Sequence, residues 1–116
     1  MKKDKYSDIV RLNHIIEAIE NIELFTKGIT EQEYYKDLKL QSAIERKIEI
    51  IGEASNHLSD ELINKYSKIE WYKIRGFRNI IIHEYFGVSQ KILWNTVENQ
   101  IPVFKNHIKQ ILKDLE

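Results

Sequence analysis

Four polar side chains of different chemistry stand close together in a stretch rich in apolar residues. Arg78, Asn79, His83 and Tyr85 are threaded through Ile80, Ile81, Ile82 and Phe86. Burying such groups without partners is costly, so they must line a cleft, an interface or a polar network. On an ideal helix Arg78 and Tyr85 lie about two turns apart on nearly one face, whereas His83 is rotated from Arg78 by about 140°. One straight helix therefore cannot aim Arg78 and His83 at a single small group. Either the helix unwinds near His83, or two copies of the segment meet. A purely structural network, with Arg78 pairing an internal carboxylate such as Glu53, is an equally good reading of the spacing.

The rest of the chain offers little competing chemistry. His14 and His107 sit beside apolar stripes, and His57 falls near the end of a helical pattern; each reads as a surface or packing residue. No two histidines stand at the short helical spacing that presents two metal ligands on one face. There is no Ser-His-Asp order and no phosphate-cradling glycine loop, since Gly76 and Gly87 stand alone. Absence of Cys rules out disulfides, thiolate nucleophiles and Cys-based zinc or iron–sulfur sites. Neither a metal nor another cofactor is called for.

Three apolar stripes must position the polar segment. Ile9, Leu12, Ile16, Ile19 and Ile22 recur at steps of three and four, as do Ile44, Ile48, Ile51, Ser55 and Leu58. Leu93, Val97, Ile101, Phe104, Ile108, Ile111 and Leu115 make the longest stripe. Each predicts a helix with one face to bury, and such helices pack as an all-α bundle. Punctuation agrees. Gly28 can end the first helix in a left-handed conformation. Thr30 with Glu33 reads as a capping box opening a short helix through Tyr34 and Tyr35. Ser59-Asp60-Glu61 restarts the chain, Ser89 reads as another cap, and Pro102 predicts a kink or a new helix. The run 78–86 has the β-branched content of a strand but no strand to pair with, so it reads as a buried helix ending near Gly87.

With 116 residues the chain is about one domain in size, spanning 1–116 as a single unit with one core. Hydrophobic residues make up 42% and charged residues 31%, the balance of a globular rather than a disordered chain. The N-terminal residues are charged and lack the apolar core of a signal peptide, and no apolar run approaches the ~20 residues of a membrane span. A soluble, cytoplasmic protein is expected. Eighteen basic and eighteen acidic side chains cancel, which argues against a general polyanion binder. The neutrality is uneven. Residues 1–61 hold 9 basic and 13 acidic side chains, a balance of −4, and residues 62–116 hold 9 and 5, a balance of +4. Lys68, Lys73, Arg75 and Arg78 cluster against only Glu70.

The segment Trp71-Tyr72-Lys73-Ile74-Arg75-Gly76-Phe77-Arg78-Asn79, followed by Ile80-Ile81-Ile82-His83-Glu84-Tyr85, resembles the signature of the HepT-like toxins of the HEPN superfamily. Their pattern of Arg, four residues, His, one residue and Tyr is met by Arg78, His83 and Tyr85. The block Ile48-Glu49-Ile50-Ile51-Gly52-Glu53-Ala54-Ser55-Asn56 resembles the family's preceding helix, and Leu93-Trp94 and Ile101-Pro102 fall where that family has a Trp and a Leu-Pro-like pair. The likeness runs from about residue 40 to residue 105.

The resemblance implies an antiparallel bundle of four to five helices that dimerises about a two-fold axis, with the active cleft at the interface. An isologous interface would bring two copies of the polar segment together, meeting the geometric problem posed by Arg78 and His83. It implies metal-independent cleavage of RNA, tRNA for some members. His83 would act as general acid or base, suited by a pKa near neutrality, and Arg78 would hold the phosphate with its planar fork. Asn79 would orient either group. It also implies a partner, a nucleotidyltransferase antitoxin of the MNT type that transfers AMP to Tyr85 in a type II toxin–antitoxin pair. A different class of function stays open: a non-catalytic subunit that docks the nucleotidyltransferase or presents its substrate.

Overall fold

Residues 5–77 and 89–116 are described by the computed structural model of the chain. Three long helices form its frame: α1 (Lys5–Thr26), α3 (Leu38–Asn56) and α7 (Ile101–Asp114). Short helices join them: α2 (Glu31–Lys36), α4 (Asp60–Lys65), α5 (Trp71–Arg75) and α6 (Gln90–Asn95), with a π-helical turn over Thr96–Gln100. Among the described residues there is no strand, so the all-α bundle expected from the periodicity is the observed fold.

The stripes explain the packing. Helix α1 lies along α3, α7 packs on α1, and α5 packs on α3. Ile44, Ile48, Ile51, Ser55 and Leu58 are all buried, as is the last stripe from Leu93 to Ile111, with Leu115 at its edge. On α1 the buried face is turned slightly from the expected one. Ile15 is completely buried and Ile16 only partly, because α3 and α7 both lean on the side carrying Leu12, Ile15, Ala18, Ile19 and Ile22. Each such Leu or Ile side chain contributes roughly 1.5–3 kcal/mol on burial.

Local chemistry sets the helix ends. Gly28 adopts φ +75°, the left-handed conformation that stops α1. The Thr30 hydroxyl accepts from the Glu33 amide (3.1 Å), and the Glu33 carboxylate accepts from the Thr30 amide (2.9 Å), closing the capping box of α2. Asp37, Ser59 and Ser89 cap α3, α4 and α6 through their side chains. Pro102 lies in the first turn of α7, directly after the π-helical turn. The preceding π-helical turn lets the chain run from α6 into α7 without forcing the proline ring into a regular helix interior.

Candidate active site

The proposed site residues Arg78, Asn79, His83 and Tyr85 lie outside the described residues, as does the helix expected over 78–86. What the structure describes is the frame on either side of them.

On the entering side, α5 and Phe77 are locked into the core. Trp71, Ile74 and Phe77 are buried, and the Trp71 indole N–H donates to the Tyr66 carbonyl at 3.0 Å. Its ring meets Phe104 of α7 edge-on, with centroids 5.9 Å apart. The Arg75 Nε, three residues before Arg78, is buried and has no hydrogen-bond partner among the described residues.

On the leaving side, the Ser89 hydroxyl accepts from the Ile92 amide and Gln90 enters a polar relay. The Gln90 side-chain amide donates to Glu45 at 2.8 Å, while its carbonyl oxygen accepts from the Tyr34 hydroxyl. Tyr34 is fully buried and its ring tilts against Trp94 at 5.1 Å. Burial first, then the charges of Glu45 and Tyr35, push its phenol far above the ordinary value, so it remains a donor. Gln41 completes this corner by donating to the carbonyls of Tyr34 and Tyr35 at 3.0 and 3.1 Å, which satisfies the end of α2.

Glu53, the carboxylate considered as a partner for Arg78, is exposed on α3. It opens onto a groove of about 240 Å³ between α1 and α3, shared with Arg11, His14, Arg46 and His57. Arg46 pairs with Glu49, and among the described residues Glu53 forms no ion pair. His14 and His57 are exposed, the surface placement being one of the two read for them, but they converge on one groove, which residue-by-residue reading does not show. The signal was present: Arg11 and His14 are three apart, and Arg46, Ile50 and Glu53 follow one face of α3 toward His57, which caps its C-terminus. Two guanidinium groups and two imidazoles thus share one groove with a single carboxylate, Glu53. Among the described residues no cluster of His, Cys, Asp and Glu could hold a metal ion, and no helix is long and apolar enough to cross a membrane.

A family model described as "Ribonuclease HepT-like" matches residues 15–111. A Methanocaldococcus jannaschii protein named as a gamma-glutamylcyclotransferase and putative RNase is 42% identical over 107 residues, 92% of this chain. The chain spans about half that protein's length, 48%. A Caldanaerobacter subterraneus protein named "Putative RNase" is 41% identical over 88% of this chain and 91% of its own. A Thermococcus cleftensis protein named "Probable ribonuclease HepT" is 39% identical over 88% of this chain and 93% of its own. No solved structure matches the chain significantly. With the family model covering the frame on both sides of Arg78–Tyr85, the chain belongs to the HepT-like ribonuclease family.

Proposed function

We propose that this chain is an endoribonuclease that cuts RNA, tRNA in particular, without a divalent metal, and that it is the toxin of a pair completed by an MNT-type nucleotidyltransferase. The observation that carries the reading is the intact Arg78, His83, Tyr85 spacing inside a chain whose family match runs from residue 15 to residue 111.

His83 takes the proton of the ribose 2′-hydroxyl, or delivers one to the departing 5′-oxygen, at the pH where imidazole exchanges protons readily. The 2′-oxygen attacks the adjacent phosphorus as the 5′-oxygen leaves, giving a 2′,3′-cyclic phosphate and a 5′-hydroxyl. Arg78 holds the phosphate and offsets the negative charge that builds in the transition state. Asn79 orients one of these groups. A single straight helix aims Arg78 and His83 apart, and the homodimer that the family resemblance implies would let two such segments meet in one working unit. AMP placed on Tyr85 by the partner adds bulk and negative charge beside Arg78 and His83 and so opposes RNA phosphate.

The test is cleavage of an end-labelled tRNA pool in EDTA by the purified protein, beside Arg78→Ala and His83→Ala. The expected result is discrete cleavage by the wild type and a loss on the order of 10²-fold or more in each variant. Equal cleavage by all three overturns the enzyme reading and leaves the binding-subunit role. Cleavage that appears only on adding a divalent metal overturns the mechanism.

A further inference from the structure

An open groove of about 220 Å³ runs between α5 and α7, on the basic second half of the chain. Lys68, Lys73 and His107 line it. Its one carboxylate, Glu70, is engaged by Lys73 at 3.2 Å and by the Tyr72 hydroxyl at 3.1 Å, and both hold its carboxyl below the ordinary range. Lys68 forms no ion pair among the described residues. The floor is apolar, formed with Ile74 and Phe104, and Val103 stands exposed beside it.

Two carboxamides complete the lining, and both come from the π-helical turn, which ends at Gln100. π-Helical turns are rare and recur at functional sites. The Asn99 amide donates to Asn95 at 2.6 Å, and Gln100 makes no side-chain hydrogen bond among the described residues. A carboxamide offers both a donor and an acceptor, which suits the edge of a nucleobase.

The covalent chain ties this groove to the cleavage motif. Ile74 is four residues before Arg78, so their Cα atoms are at most about 14 Å apart whatever path the chain takes. A strand of RNA with its phosphate at Arg78 reaches that far within a few nucleotides.

We propose that the groove between α5 and α7 is a subsite for a nucleotide of single-stranded RNA flanking the cleaved bond. Lys68, Lys73 and His107 lie along its backbone phosphate, the apolar floor carries its ribose and base, and Asn99 and Gln100 meet the base edge. The subsite deepens the ribonuclease reading and rests on it for the identity of the ligand. With Glu70 offsetting Lys73, it gives a protein of zero net charge a local excess of one positive charge beside an apolar floor, which suits contact with one strand rather than general polyanion affinity.

Binding is measured by fluorescence anisotropy with a labelled single-stranded RNA oligonucleotide and the full-length His83→Ala protein, so that the RNA is not consumed. Adding Lys68→Ala and Lys73→Ala is expected to weaken binding several-fold and to make the dependence of log affinity on log salt shallower by about one. Gln100→Ala, which leaves the charge intact, is expected to weaken binding while keeping the salt slope. In the active protein the lysine changes raise KM for the same RNA by a like factor. Unchanged affinity and slope in both variants overturn the subsite even if the wild type cuts RNA. If the wild type cuts no RNA, the ribonuclease reading fails, and the anisotropy series still decides the subsite. Loss of nucleotidyltransferase binding with RNA affinity intact assigns the groove to a protein partner and overturns the proposal.

Discussion

Asp8 and Ser59, 51 positions apart, are joined by two hydrogen bonds in the core: the Ser59 amide donates to one carboxylate oxygen at 2.8 Å and its hydroxyl to the other at 2.6 Å. The same hydroxyl accepts from the Leu62 amide at 3.1 Å and so caps α4. One carboxylate thereby fixes the start of α1 against the turn that follows α3, and Asp8 is only 4% exposed.

Asp8→Ala leaves the buried Ser59 amide without an acceptor, and a loss of about 2–3 kcal/mol is expected. Urea unfolding checks it as a lower midpoint with an unchanged slope. In a double-mutant cycle with Ser59→Ala the two changes should be non-additive by about 1 kcal/mol or more. Additive effects would show that the pair is not coupled.

Tyr34→Phe keeps the ring against Trp94 and deletes the donor to Gln90. The expected cost is about 1 kcal/mol near neutral pH. The pH profile carries the sharper signature. The folded-state phenol titrates above its ordinary value near 10, so folded protein holds a proton that unfolded protein has lost. Its stability contribution is whole below about pH 10 and declines as pH rises toward the raised folded value, by about 1.4 kcal/mol per pH unit. Stability of the wild type should fall more steeply above pH 10 than that of Tyr34→Phe; parallel curves would remove Tyr34 from the alkaline transition.

Gly28→Ala tests a backbone conformation rather than a contact. At φ +75° an added Cβ meets no atom within 4 Å, so the cost is that of the left-handed conformation alone, about 1–2 kcal/mol. Gly28→Asn should cost less, because Asn tolerates that region. Thermal unfolding of the two variants side by side reads the difference.

Tyr85 is tested by intact mass. Incubation with the MNT-type partner and ATP should add AMP to the wild type and suppress tRNA cleavage, and Tyr85→Phe should gain no adduct. An adduct of the same mass on Tyr85→Phe would move the modification elsewhere.

Helix positions and ends were legible in the sequence because they depend on residues three or four apart. The stripe from Ile44 to Leu58, the Thr30–Glu33 capping box, the Ser89 cap and the stop at Gly28 are each complete within a few neighbours. So is the Arg78, His83, Tyr85 spacing, and with the blocks around it, it identified the family. Tertiary packing decided what local spacing does not contain. It turned α1 so that Ile15 rather than Ile16 faces the core, and it brought Asp8 to Ser59 and Tyr34 to Gln90. It also gathered Arg11 and His14 with Glu53 and His57, and Lys68 and Lys73 with Gln100 and His107. The physical reason is that a helix period encodes which residues share a face, while the partner of that face is set by how several faces bury one another at once.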